Sequence, residues 1–195
     1  MFDDVADRAL MARIVQGDTA AFERLYANYE KPVGAFLFRM TYDRTLSEDC
    51  LQEVFMRVWK AAPTWRGDCR VSTFIFQVAK NYALNARDKV RREQARTGDG
   101  SREAEEGSCA TSEPAAAADA APSHALEGAE LRQAVRDALE ALPEEQRVIM
   151  LLAQTDGLTY REIADILQMP LGTVKSRMAA ASDALRRRLE RHIKE

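Results

Sequence analysis

The stretch Leu158 to Arg188, LTYREIADILQMPLGTVKSRMAAASDALRRR, restricts the fold more than any other part of the chain. Thr159 followed by Glu162 has the form of a capping box, in which each side chain satisfies a backbone amide at a helix start. Ile163, Ala164, Ile166 and Leu167 then lie on one apolar helical face. Gln168-Met169-Pro170-Leu171-Gly172 breaks that helix, because proline lacks the amide proton and glycine weakens the turn. Thr173 is suited to cap a second helix that buries Val174, Met178 and Leu185. The small Ala164 faces inward where two helices must cross closely. The pattern is a helix-turn-helix, and its second helix presents Lys175, Ser176 and Arg177 at an exposed start. In such motifs that start reaches base edges in the major groove. The plain alternative is a helical hairpin with no ligand.

The other segments also read as helices, so the expected fold class is all-α. Asp3 or Asp4 caps a first helix over residues 4–16 with Val5, Leu10 and Ile14 inward, and Gly17 ends it. Asp18 or Thr19 caps the next, whose stripe is Ala21, Phe22, Leu25, Tyr26 and Tyr29. Pro32 marks a start or kink, after which Val33, Phe36, Leu37 and Met40 resume the stripe. Thr45 and Glu48 suggest another capping box. The helix it opens, to about Ala61, buries Leu46, Cys50, Leu51, Val54, Phe55 and Val58 and exposes Glu48, Asp49, Gln52 and Glu53. Those acidic groups suit a helix start through the macrodipole alone, or serve a partner.

Pro63 stops this helix, and the polar loop TWRGDCRVS (Thr64 to Ser72) follows. A long helix from Val71 to about Glu93 carries Val71, Phe74, Ile75, Val78, Ala79 and Tyr82 inward. Arg70, Lys80, Arg87, Lys89, Arg91 and Arg92 are its basic complement, with Asn81 and Asn85 among them. Long cationic donors beside Trp65, Phe76 and Tyr82 fit a single-stranded nucleic acid, phosphates on the charges and bases on the rings. A solvated basic helix fits the same composition.

Charge divides the chain. The overall balance is −3, but residues 65–96 hold 8 Lys/Arg against 3 Asp/Glu, and residues 97–130 hold 1 against 8. Residues 97–125 are dominated by glycine, serine, proline, alanine and acidic residues, which bury too little surface to offset their ordering entropy. They are expected to be a flexible acidic linker, with at most a transient helix over Ala115 to Ala121. Beyond it, Leu131, Val135, Leu139 and Leu142 make an amphipathic helix. Pro143 stands at N1 of the next, whose apolar face is Val148, Ile149, Leu151 and Leu152. The terminal arginines Arg186 to Arg188 meet phosphate or oppose the helix dipole.

Several classes are excluded. No apolar run approaches the ~20 residues of a membrane span, so no membrane insertion is expected. The acidic start does not resemble a signal peptide. Cys50, Cys69 and Cys109 are widely spaced, and His124 and His192 complete no zinc spacing, so no metal or cofactor is expected and reduced cytoplasmic thiols are the simplest account. No catalytic constellation marks an enzyme.

The whole chain outside residues 97–125 resembles the extracytoplasmic-function RNA polymerase sigma factors of the sigma-70 family. Three motifs carry the resemblance. SEDCLQEVFMRVW (Ser47 to Trp59) resembles the helix by which region two grips the polymerase clamp coiled coil. WRGDCRVSTFIFQVAKNYALNARDKVRR (Trp65 to Arg92) resembles the segment that melts and reads the promoter −10 element. ALPEEQRVIMLLAQTDGLTYREIADILQMPLGTVKSRM (Ala141 to Met178) resembles region four, which reads the −35 element.

The resemblance implies region two over residues 1–96, a linker over 97–128 and region four over 129–195. It implies core polymerase as partner through Asp49, Gln52 and Glu53. It implies −10 recognition by Trp65, Arg66, Gly67, Asp68, Cys69 and Asn81, with Lys80, Arg87 and Lys89 on phosphates. Arg161, Thr173, Lys175, Ser176 and Arg177 would face the −35 duplex. Ile149 and Leu152 would serve the polymerase flap or the core. An anti-sigma factor is the implied regulator, and the acidic linker would follow a positively charged polymerase channel. The chain departs from the family at Phe74, where Trp is usual, at Asn85, where Asp is frequent, and at Gln168, where the turn often has Gly. Ala179, Ala180 and Ser182 replace frequent His or Arg on the recognition helix, which shifts −35 readout toward shape and phosphate. The rival from another class is a self-sufficient helix-turn-helix regulator, which has no use for the Asp49 face or the Trp65 loop.

Overall fold

The computed structural model describes residues 2–97 and 122–193. Among them are eight α-helices, one 3-10 turn and no strand, as the all-α reading requires. Helix α1 (Asp4–Ile14) begins where the Asp3 carboxylate accepts from the amides of Val5 and Ala6. Its inward face is Asp7, Leu10, Met11 and Ile14, while Val5, expected inward, is 80% exposed. The spacing of the inward set from Asp7 onward places Val5 on the outer side. Gly17 turns the chain with φ +81, and Asp18 caps α2 (Thr19–Thr41) while pairing with Arg13 at 2.7 Å.

Helix α2 runs unbroken through Pro32. Buried Tyr29, Val33, Phe36 and Leu37 on either side anchor both turns, and their packing offsets the roughly 3 kcal/mol that an interior proline costs. Tyr42 ends the helix in the left-handed region at φ 51. Helix α3 (Arg44–Ala61) is capped by Asp43, whose carboxylate accepts from Leu46 N at 2.8 Å. The expected Thr45–Glu48 box does not form, since the stronger acceptor lies two residues upstream. Glu48 instead pairs with Arg44 at 2.9 Å. A 3-10 turn (Ala62–Thr64) holds Pro63, and α4 (Val71–Thr97) completes the N-terminal bundle.

The C-terminal bundle opens with α5 (Pro122–Glu140). Residues 122–128 are therefore helical, although they were expected in the linker; proline is tolerated in a first turn, and helix-forming residues follow it. Leu131 is 52% exposed rather than buried; α5 enters the core through Ala138 and Leu139, with Val135 half-buried against it, and Leu142 follows in the turn after the helix. Helix α6 (Glu144–Ala153) has Pro143 as its cap residue, one position earlier than expected. Helix α7 (Tyr160–Leu167) has the full capping box of Thr159 and Glu162, and Gln168 closes it in the left-handed region at φ 53. Helix α8 (Leu171–Ile193) starts directly after Pro170, whose carbonyl accepts from Thr173 and Val174. Thr173 thus lies within the first turn and is not the cap. Cys109, the Ala115–Ala121 segment and most of the expected linker lie outside the described residues.

The two bundles meet. Helix α4 packs on α7, and α2 packs on α6.

Candidate nucleic-acid and partner interfaces

Helix α3 buries Cys50, Leu51, Val54, Phe55 and Val58 and turns Asp49 and Gln52 outward. Glu53 is half-buried and held by Arg57 at 2.8 Å. Met56, 48% exposed, continues the same outward stripe one turn on. The face therefore combines carboxylate, amide and thioether groups.

The loop after α3 is clamped from α1. Arg8 donates from Nη1 to the Gly67 carbonyl at 3.0 Å and from Nη2 to the Cys69 carbonyl at 2.9 Å. Its guanidinium lies 5.5 Å from the centre of the Trp65 ring, and its Nε donates to Asp4 at 2.8 Å. Gly67 has φ +76, a conformation that favours glycine, and a Cβ there would come within 3.1 Å of Arg8 Nη1 and press on the clamp. Asp4 also accepts from Val71 N at 3.2 Å. Burial pushes the Asp4 carboxyl upward, but the Arg8 and Val71 hydrogen bonds prevail and hold it below its ordinary value. Arg8 and Asp4 escaped sequence reasoning because they stand some sixty residues from the groups they hold.

Asn81 is exposed on α4 and lines an open cleft of about 390 Å³ with Arg57, Lys60, Ala61, Val78, Tyr82 and Asn85. Arg57 lies over the Tyr82 ring at 4.8 Å. Two amides, two cations and a ring edge are the groups that a splayed nucleobase and its phosphate use. No residue of the loop 65–69 lines the cleft. Phe76, expected beside the strand, is wholly buried against Phe2 and Phe36 and offers no stacking face. Its position on the helix is inward, with Ile75 and Ala79.

The remaining basic groups divide by helical face. Gln77, Lys80 and Arg87 follow 3.6-residue spacing on the side of α4 toward the C-terminal bundle. Lys80 Nζ donates to the Ile166 carbonyl at 3.5 Å, and burial lowers its pKa. Arg87 is half-buried, and its charge bears on Tyr42. Lys89, exposed on the same side as Asn81 and Asn85, reaches Glu93 at 4.0 Å. Lys80 and Arg87 are thus not gathered around Asn81.

In the helix-turn-helix, Arg161, Lys175 and Ser176 are exposed. Ser176 Oγ donates to the Thr173 carbonyl at 3.1 Å, and Thr173 is half-buried. Arg177 forms an ion pair with Glu145 of α6 and reaches the Met169 sulfur at 4.0 Å. Ile149 and Leu152 are wholly buried in the core and present nothing to a partner. Burial pushes the Cys50 thiol up to about 11, with Asp49 and Asp43 adding to it, and burial likewise raises Cys69. Neither is the thiolate that a redox sensor needs near neutrality.

A helix-turn-helix bundle joined to a second bundle with a cationic, amide-lined cleft defines a helical nucleic-acid-binding protein with two separate faces. Comparison with known proteins narrows this. Residues 25–94 match the family described as "Sigma-70 region 2", and residues 132–185 match "Sigma-70, region 4". The chain is 32% identical to the ECF RNA polymerase sigma-E factor of Escherichia coli K12, over 95% of each chain. It is 29% identical to the RNA polymerase sigma-H factor of Pseudomonas aeruginosa over the whole of both. Its fold is similar to that of CnrH in complex with the cytosolic domain of CnrY, with a TM-score of 0.69, 20% identity, and coverage of 95% of this chain and 97% of the other. The sigma factor RpoE of Bartonella quintana, solved with the anti-sigma factor NepR, gives 0.61 at 20% identity over 87% and 96%. The chain belongs to the ECF RNA polymerase sigma factors of the sigma-70 family, which are transcription initiation factors and not enzymes.

Among the described residues no helix is long and apolar enough to cross a membrane.

Proposed function

We propose that this sigma factor joins core RNA polymerase in the cytoplasm through the Asp49, Gln52 and Glu53 face, with Met56 as an apolar addition. Carboxylates and an amide on a rigid helix suit arginines of a coiled coil. Region two, within residues 1–96, then takes an unstacked −10 base. Asn81 and Asn85 supply amides, Tyr82 an aromatic edge, and Arg57, Lys60 and Lys89 the phosphate charges. The Trp65–Cys69 loop, with Arg66 and Asp68, forms one wall beside the strand, and Arg8 sets its shape. Lys80 and Arg87 join the phosphate contacts once the C-terminal bundle has moved away. Region four, in the residues from 129 on, docks Arg161, Thr173, Lys175, Ser176 and Arg177 at −35. The acidic linker between them follows the polymerase channel that nucleic acid uses.

The open cleft beside Asn81 is the observation that carries this reading. A stand-alone regulator has no use for it or for the outward Asp49 stripe. The sigma factor RpoE, whose fold is similar, was solved with the anti-sigma factor NepR, and a protein partner of that kind is the proposed source of control. The test is transcription from a promoter library by core polymerase with and without the protein. Wild type should direct initiation to a −35/−10 pair. Asn81→Ala should reduce opening about tenfold or more, the worth of one good base contact. A chain without affinity for core polymerase that regulates a gene unaided would overturn the reading.

A further inference from the structure

The loop from Trp65 to Cys69 has little support of its own. Among the described residues, none from Arg66 to Cys69 shares a hydrogen bond with another backbone group. The loop nevertheless alternates in exposure. Trp65, Gly67 and Cys69 are half-buried, while Arg66 and Asp68 are exposed. All three inward positions meet one side chain. The Arg8 guanidinium faces the Trp65 ring at 5.5 Å and donates to the Gly67 carbonyl at 3.0 Å and the Cys69 carbonyl at 2.9 Å. Its Nε goes to one oxygen of Asp4, whose other oxygen accepts from Val71 N, the first amide of α4. Arg8 itself stands on a fixed helix, because its neighbour Asp7 is buried and ties α1 to α2 through the Tyr29 hydroxyl at 2.5 Å.

A planar guanidinium suits this task. Its N–H groups fix the spacing and direction of two carbonyls at once, whereas a lysine offers one point charge and cannot hold both while facing a ring. With the inward groups pinned, the outward ones stand in a single register. Asp68 then presents acceptors, and Arg66 donors, from neighbouring points on the backbone. Such groups distinguish base edges, a carboxylate taking an exocyclic amine and a guanidinium taking a ring nitrogen and a carbonyl oxygen. A loose loop would offer the same groups, but it would lose its freedom at every binding event and fit right and wrong bases nearly alike.

Resting on the −10 reading above, we propose that Arg8, braced by Asp4, is a positioning residue for base selection: it fixes the register of Arg66 and Asp68 and so sets which −10 base the loop accepts, without touching that base. Selectivity at one promoter position therefore depends on α1, a helix that contributes no residue to the open cleft beside Asn81. Gly67 serves the same arrangement from the loop side, since a Cβ there would lie 3.1 Å from Arg8 Nη1.

The test is run-off transcription by the full-length chain with core polymerase, on promoters carrying each of the four bases at each −10 position. Asp68→Ala and Arg66→Ala identify the position that the loop reads. At that position Arg8→Ala should lower the ratio between best and worst base about five- to tenfold, the worth of one oriented base contact. Dependence on −35 and affinity for core polymerase should match wild type. Arg8→Lys, which keeps the charge and loses the fork, should relax the same position, as should Gly67→Ala. Arg8→Ala combined with Asp68→Ala should discriminate no worse than Asp68→Ala alone, because both remove one function. Circular dichroism at the assay temperature checks folding; if Arg8→Ala is unfolded there, Arg8→Lys and Gly67→Ala decide. An equal loss of initiation with every base, losses that add in the double variant, or full discrimination by Arg8→Lys would each overturn the proposal and leave Arg8 a structural residue. If Asp68→Ala and Arg66→Ala alter no base preference, the loop is not a reader, and the −10 assignment of this wall falls together with the proposal. If they do and Arg8→Ala does not, the proposal falls alone.

Discussion

The N-terminal and C-terminal bundles are built from different interiors. The first buries Tyr29, Phe36, Phe55 and Phe76, with Phe2 stacked on Tyr29 at 4.8 Å. It also buries a polar pair, Tyr29 donating to Asp7 at 2.5 Å. The second is closed by Leu139, Leu142, Ile149, Leu151, Leu152, Ile163, Ile166 and Val174, and no aromatic ring is buried among its described residues. The difference suits the work proposed for each face. A cleft that takes a base needs Lys60 on α3 and Asn81 on α4 held at a fixed separation, and interlocked rings with a satisfied buried hydrogen bond supply that rigidity. A recognition helix need only expose its first turn, and aliphatic packing across the small Ala164 suffices.

Breaking the aromatic interior should therefore have the largest effect. Phe36→Ala is expected to cost about 3–5 kcal/mol, the range for truncating a wholly buried ring. Denaturant unfolding followed by tryptophan fluorescence checks it, since Trp59 and Trp65 both report on the N-terminal bundle. A loss below about 1 kcal/mol would show that the rings fill space without setting it.

Removing only the hydroxyl sharpens the point. Tyr29→Phe leaves the Asp7 carboxylate buried with Asn28 alone at 3.5 Å, and about 1–3 kcal/mol should be lost at pH 7. Burial already raises the Asp7 pKa above 3.8, and the Tyr29 hydrogen bond opposes that rise. The folded chain thus holds its proton more firmly than the unfolded one. Stability from this group is full below 3.8 and falls as pH rises through the raised value. The variant lifts Asp7 further, so its deficit should be larger at pH 7 than near pH 3.5. Equal deficits at both would assign the loss to packing.

On the other bundle the comparable test is functional. Arg177 is held by Glu145, so Glu145→Gln should free it and strengthen binding to −35 duplex a few-fold, while Arg177→Ala should weaken it about tenfold. Anisotropy titration with a −35 duplex at fixed salt decides. Weaker binding by Glu145→Gln would mean that the pair positions Arg177 for the groove.

How much of this was legible follows the range of each interaction. The α7 capping box and the break at Pro170 were readable, and Asp3 and Asp18 were each one of two adjacent cap candidates, because each is settled within a few residues. The Asp43 cap was missed through a local competition between acceptors, in which Thr45 was the weaker. Phe76 was misassigned because composition does not say which side of α4 a ring occupies. Val5 and Leu131 satisfied helical spacing at the frayed edge of their stripes, where no neighbour covers them. The Asp49, Gln52 and Asn81 positions were legible by resemblance and do lie outward. Arg8 on Gly67, 59 residues away, and Arg70 on Glu162, 92 away, had no sequence signal. Both are charges meeting across elements whose approach only the folded chain defines.

The smallest effects separate two residues that share one backbone state. Gln168 and Tyr42 both close a helix in the left-handed region, at φ 53 and φ 51. A side chain there costs roughly 1 kcal/mol, partly recovered by the lower entropy of the unfolded chain. Gln168 is exposed, and its backbone amide already meets Ala164 and Asp165. Gln168→Gly should therefore raise stability by about 0.5 kcal/mol. Tyr42→Gly relieves the same strain but removes the ring under Arg136, a contact worth about 0.5–1 kcal/mol. It should gain nothing in stability and should loosen the bundles in small-angle scattering. Opposite responses from two identical backbone states would mark Tyr42 as a link between the bundles and Gln168 as a turn alone. Equal gains in stability would deny Tyr42 that part.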